Sequence, residues 1–259
     1  MKFKMSLLFA IILAGSVSVL AQPKLTGLQV MEKVYNRPSP KEMEADLTMI
    51  LISSSGNQRV REIHQYIKDF GKVEKKIMFF VKPADVRNTS FMNWSYDDPN
   101  KSDDQWIYLP ALKKVKRISS DSKGDYFMGS DFTYDDLGDR KPTDDTHKIL
   151  REEKVNGEDC YVIESHPKNK DYMYSKTLTW VIKGKWIGLQ KKFWDEDGDY
   201  LKSLHIKKYD KIQGFWMIER VEMDNVQSNH KTIMKLSNIK INSGIRNNMF
   251  TERMMKRGL

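Results

Sequence analysis

The sequence has few of the features that usually identify a chemistry. It contains one cysteine, Cys160, so no disulfide scaffold holds the fold. Its five histidines, His64, His147, His166, His205 and His230, form no H-E-x-x-H pair. It has no G-x-S-x-G elbow and no glycine loop of the phosphate-cradling kind. No long apolar run lies beyond the extreme N-terminus, which excludes a polytopic helical membrane protein. Asp195, Asp197 and Asp199 suggest calcium, but Gly198 comes too early for an EF-hand loop, and the run reads as a hairpin turn. Asp135 and Asp136 are carboxylates that no spacing singles out. The sequence therefore offers no catalytic residue, no metal ligand set and no cofactor.

What is present is a chain that can bury a core. At 39% hydrophobic and 11% aromatic residues it is not disordered. Its net charge of +9 suits anionic headgroups, an acidic partner or nucleic acid. Lys2 and Lys4 precede an apolar stretch, Leu7–Ala14, and then small residues ending Val19-Leu20-Ala21. This is the pattern of a secretory signal peptide cut after Ala21, leaving residues 22–259 as one exported, soluble domain. Export argues against nucleic acid as a partner.

The mature chain opens with a capping box, Thr26 to Gln29, and a predicted helix presenting Leu28, Met31, Val34 and Tyr35 on one face, ended by Pro38 and Pro40. From Met43 the period becomes two: Met43, Ala45, Leu47, Met49 and Leu51 alternate with more polar neighbours. About eleven strands follow, joined by short turns such as Asn156-Gly157, and no connection is long enough for a parallel crossover. Cys160 falls in a strand as a small buried residue. The predicted fold is mainly β: a large curled antiparallel sheet with an N-terminal helix.

Residues 119–146 interrupt this style. The segment is too long for a turn and carries Tyr126, Phe127, Met128, Phe132, Tyr134 and Leu137 among glycines and aspartates. It reads as a flap or short helix over the concave face. An antiparallel sheet of this size curls. One helix and one flap fill such a trough incompletely, leaving an apolar binding cavity under a movable cover. The fifteen methionines suit adaptable packing. The same alternation equally describes an ordinary packed core, and the residues alone leave both readings open. The basic run Lys113, Lys114, Lys116 and Arg117 is a headgroup or docking surface in one reading and a solvated edge strand in the other; edge lysines discourage aggregation, which favours the second.

Four stretches carry a resemblance to a known family: Asp104–Ile118, Gly124–Leu137, Thr179–Ile182 with Phe193–Gly198, and Asn248–Arg253. In this order they resemble the outer-membrane lipoprotein-sorting, LolA-like proteins, over nearly the whole mature chain. The resemblance implies an unclosed β-barrel covered by helices, placed in the periplasm and holding acyl chains in its hollow, without covalent chemistry. Relatives receive lipoproteins from an inner-membrane transporter and pass them to an outer-membrane acceptor. The extended central segment is similar to a branch associated with large lipid exporters, so the implied cargo is lipid or lipoprotein acyl chains and the implied partners are an inner-membrane exporter and an outer-membrane acceptor. The protein is expected to be a monomer. The alternative is a non-transporting envelope subunit associated with such an exporter. Leu47, Met49, Leu51, Phe79, Phe91 and Trp106 are the candidate cavity lining, and Tyr126, Phe127, Met128, Phe132 and Tyr134 the candidate lid. Arg59 and Arg61 lie near the region of the family's functional arginine, and neither is assigned that role.

Overall fold

The alternation that begins at Met43 builds strands whose apolar side chains share one face. A computed structural model describes residues 24–259; the leader expected at residues 1–21 lies outside the described residues. Thirteen strands form, rather than about eleven: β1 (Glu42–Ile52), β2 (Gln58–Asp69), β3 (Val73–Lys82), β4 (Ser90–Tyr96), β5 (Asp104–Leu109), β6 (Lys114–Arg117), β7 (Asp145–Val155), β8 (Glu158–Pro167), β9 (Lys176–Ile182), β10 (Gly188–Trp194), β11 (Tyr200–Ile212), β12 (Phe215–Asn225) and β13 (His230–Ile241). They make one sheet in the order β6-β5-β4-β3-β2-β1-β13-β12-β11-β10-β9-β8-β7. Every pairing is antiparallel, and β6 and β7 stand at the two free edges, so the sheet does not close. The β7–β8 hairpin turns at Asn156 and Gly157, both at positive φ, as a two-residue turn of matching twist requires.

Register decides which side chains share a face, because residues directly opposite in an antiparallel pair project the same way. Leu47 faces Ile63 and Leu236, Ile63 faces Phe80, and Met78 faces Phe91. On the far side of the seam Met49 faces Met234, which faces Val221. These residues form the inner face. Ile77, Phe79, Met92 and Trp106 belong to the alternate set and form the outer face of β3–β5.

Two short helices cover opposite sides. α1 (Gly27–Tyr35) keeps the expected capping box at Thr26 and Gln29 and lies against β7. A Cβ at Gly27 would stand 2.6 Å from the His147 carbonyl oxygen, so only glycine allows this approach. The buried side of α1 differs from the predicted stripe. Val30 is the fully buried residue, with Met31 and Val34 beside it, while Leu28 is exposed. The docking of Gly27 on β7 rotates Val30 onto Ile163 and Val181 and turns Leu28 outward. At the other end of the chain, Ile245, Met249, Phe250 and Met255 of the segment leading into α2 (Glu252–Arg257) seal the outer face against Ile77, Phe79 and Met92. No described helix is long and apolar enough to cross a membrane.

Candidate functional site

The largest apolar cluster lies on the inner face under residues 119–146. Leu47, Met49 and Leu51 of β1 meet Ile63, Phe80 and Phe91 from one half of the sheet and Phe193, Met223 and Met234 from the other. The crossing segment up to β7 has only single turns of 3-10 helix, at Ser120–Ser122, Phe127–Gly129, Asp135–Leu137 and Pro142–Asp144, so its packing rather than regular structure holds it in place. Phe127 sits edge-on against Phe91, with centroids 5.1 Å apart, and Tyr134 closes the same aromatic group. Met128 adopts positive φ, which turns the chain so that Phe127 and Phe132 both point into the trough.

The sequence-predicted residues divide between the two faces. Leu47, Met49, Leu51 and Phe91 come together with Phe127 and Phe132, and Met128 and Tyr134 pack at the margin. Tyr126 is exposed at the rim, where its hydroxyl accepts from Asn225 Nδ2 at 3.0 Å. Phe79 and Trp106 do not join the group. Both face outward into the cluster sealed by the C-terminal segment, so their place as cavity lining is corrected. The reason is parity: Met78 and Phe80, not Ile77 and Phe79, are the inward pair of β3. The trough itself is also fuller than expected. Met49, Leu51, Phe91 and Phe127 are at most 1% exposed, because the flap's own side chains occupy the space an empty hollow would offer.

Beneath this apolar contact lies a set of polar fastenings that periodicity could not show. Lys202, on the inner face of β11, is fully buried; its Nζ donates to Asp136 Oδ2 at 2.7 Å and to the Asp131 carbonyl at 2.8 Å. Asp131 Oδ2 accepts from Thr232 Oγ1 at 2.7 Å and meets His230 Nδ1 at 2.7 Å. Arg61 donates to the Met128 carbonyl, Gln105 Nε2 to the Tyr134 carbonyl at 2.8 Å and Lys76 Nζ to the Leu137 carbonyl at 3.1 Å. Arg61 thus sits under the flap, and burial lowers the pKa of its guanidinium. The Tyr174 hydroxyl also donates to Asp136, and burial drives its pKa far upward. The segment carrying Tyr172 and Tyr174 joins the cover, although its sequence reads as a plain loop between β8 and β9.

Other candidates resolve into structure. The Asp195–Asp199 stretch is a turn, with Asp199 N–H donating to Asp195 Oδ1 and Gly198 at positive φ. The Cys160 thiol is buried in β8, and burial pushes its pKa up. The basic run falls at the free edge formed by β6, where Arg117 pairs with Asp104. Among the described residues no group of histidine, cysteine and carboxylate side chains is arranged to hold a metal ion.

Three comparisons bear on this architecture. A family described only as "uncharacterized protein" matches residues 72–257. A solved structure provisionally named as an outer membrane lipoprotein-sorting protein domain, from Vibrio parahaemolyticus, is 32% identical, covers 89% of this chain and 98% of its own, and superposes with a TM-score of 0.83. A DUF1329 family protein from Desulfovibrio piger is 28% identical over 88% of this chain and 97% of its own, also at 0.83. A LolA superfamily protein from Nitrosomonas europaea shares the fold at 18% identity and a TM-score of 0.67, covering 89% of this chain and 99% of its own. No curated protein matches the sequence.

Proposed function

The chain belongs to the LolA-like superfamily of outer-membrane lipoprotein-sorting proteins, and on that footing we propose that it is a periplasmic carrier of lipid or lipoprotein acyl chains. The observation that carries this reading is the composition of the cover. A segment with almost no regular structure places Phe127, Phe132 and Leu137 on an apolar inner face that spans both halves of an open sheet. Those side chains are the surrogate for a guest. When the flap lifts, the face it leaves is a ready surface for hydrocarbon.

The energetics suit transfer rather than storage. Burying a methylene is worth about 0.8 kcal/mol, so an acyl chain does not leave a membrane for water at a useful rate. A carrier offers an apolar alternative, and the flap's competition for the same surface keeps the guest's net affinity moderate. The fastenings at Lys202, Asp131 and Arg61 give the closed state a definite geometry, and release follows when the flap returns to it. Residues 1–21 would be the export signal, and no covalent step is required.

Uptake of a fluorescent fatty-acid probe tests the proposal, together with native mass spectrometry of protein purified from cells. Saturable uptake or co-purifying lipid is the expected result. Replacing Phe127 and Phe132 with Asp takes away the competitor and is expected to strengthen uptake while the β-type circular dichroism persists; unchanged uptake in that variant would remove the flap from the mechanism. The tight burial of the trough favours one second reading, a non-transporting envelope subunit that docks on a partner. That reading is correct if the protein arrives without lipid and takes up no probe.

A further inference from the structure

Two stretches far apart in sequence bring charge of one sign to the free edge at β6. Lys113, Lys114, Lys116 and Arg117 lie on the turn into β6 and on β6 itself, and all four are exposed. α2 packs across β4, β5 and β6, setting Met254 and Met255 on the cluster that also takes Val115. Its Arg253, Lys256 and Arg257 are exposed. Against these cations the same strands and helix carry two carboxylates: Asp104, which takes Arg117, and Glu252, 4.0 Å from Lys256. Among the described residues the other five cations have no carboxylate partner. Leu112, in the same β5–β6 turn, is 62% exposed.

Protection of an edge strand explains part of this and not the whole. The opposite edge shows how protection is done here: β7 has a register shift between Ile149 and Arg151, Arg151 pairs with Glu153, and Lys154 pairs with Asp159. β6 has no such shift, and α2 is not an edge strand, so its cations protect nothing. Nor does the helix ask for Arg253, since a cation in the first turn opposes the helix dipole. Like charges gathered without partners repel one another, and an oppositely charged surface relieves them. An added acidic strand is a poor occupant, because β6 offers it only four residues. A layer of phosphate headgroups meets a strand, a turn and a helix at once, and the hydrocarbon beneath it takes an exposed leucine.

We propose that this face docks the protein on the surface of an anionic lipid bilayer, with the cations of β6 and α2 on the phosphates and Leu112 entering the layer beneath. The inference goes beyond acyl-chain carriage and does not need it. β6 is one of the two edges that bound the unclosed sheet, so docking there brings a rim of the trough to the membrane.

The test is co-sedimentation of protein expressed from the full sequence with vesicles of equal parts phosphatidylglycerol and phosphatidylcholine, and with vesicles of phosphatidylcholine alone. All variants share one N-terminus, so a leader, cleaved or not, cancels between them. Binding to the anionic vesicles alone, weakening as salt rises, is expected. Each cation held at such a surface is worth about fivefold in affinity, so replacing Lys113, Lys114 and Lys116 with Gln is expected to weaken binding about a hundredfold. Replacing Arg253, Lys256 and Arg257 with Gln is expected to do the same, and this variant decides if the first aggregates through its bared edge. The same change at Lys148, Arg151 and Lys154 of β7 removes as much charge from the other edge and should leave binding within a few fold. Leu112→Cys carrying an environment-sensitive dye should shift its emission to shorter wavelength on the anionic vesicles, Cys160 being buried. No binding, equal binding to phosphatidylcholine, an unshifted dye, or equal losses from the β6 and β7 variants overturns the proposal; the first of these would turn the face toward an acidic protein. Vesicle binding without acyl-probe uptake would sink the carrier reading and leave this one standing, and uptake without vesicle binding would do the reverse.

Discussion

Lys202 is an ammonium with no exposure on the same face as Leu204 and Met223. It is tolerated there because Asp136 and the Asp131 carbonyl receive its protons. Removing one partner of a buried pair typically costs about 3–5 kcal/mol, whereas replacing both with apolar groups is far milder. Lys202→Met is therefore expected to lower stability to urea by about that amount, and adding Asp136→Leu should recover little of it here, because the Tyr174 hydroxyl and the Thr133 N–H then lose their acceptor. An unchanged denaturation midpoint in the single variant would mean that this pair does not hold the flap. Asp139 makes a different prediction. Its raised folded-state pKa means that it holds its proton more tightly folded than unfolded. Its contribution therefore favours folding at low pH and is lost as the pH rises through about 6. Asp139→Asn should melt at a higher temperature than wild type at about pH 7, and the gap should close in acid, where wild-type Asp139 is itself neutral. A gap that is flat across pH would contradict this assignment.

At the scale of elements, close approach and capping carry the predictions. Thr26→Ala removes the cap of α1 and should cost about 1 kcal/mol, seen as faster amide exchange over Gly27–Tyr35. Phe250 is buried edge-on against Phe70 on the outer face. Phe250→Ala should cost about 3–5 kcal/mol and shift the emission of Trp94 and Trp106 to longer wavelength without changing probe uptake by the folded fraction. Reduced uptake would tie the outer face to binding. The elements themselves were largely legible in the sequence. Alternation located the strands, the capping box located α1, and the Asn156-Gly157 and Asp197-Gly198 turns marked hairpins. Faces were less legible. A strand such as β3 is apolar on both sides, at Ile77 and Phe79 as well as Met78 and Phe80, so its period of two has no preferred phase until its neighbours set the register. Phe79 and Trp106 were misplaced for that reason. The fastenings were invisible because Lys202 and Asp136 are 66 residues apart, and only the sheet's curl brings them together.

For the whole molecule, function turns on whether the cover moves relative to the sheet. Asp131 and Thr232 meet at 2.7 Å, one in the flap and one on β13. Asp131→Cys with Thr232→Cys should allow the two to be tied by oxidation, since buried Cys160 is a poor competitor. The oxidised protein is expected to exclude the acyl probe and the reduced protein to admit it. Equal uptake in both states would show that the guest enters without the flap lifting.

The strand order carries a consequence for how the molecule comes into being. Its central seam joins β1 to β13, the first and last of the described strands, with Met43 opposite Ile241. Chain synthesised or threaded from its N-terminus must wait for β13 to emerge before that seam can zip, and the loop-closure entropy of so distant a pairing slows the step. Until then the greasy rows of β1 and β2 lack their neighbour, and the half-built sheet is at its most vulnerable to clumping. Assembly is thus gated by the arrival of β13.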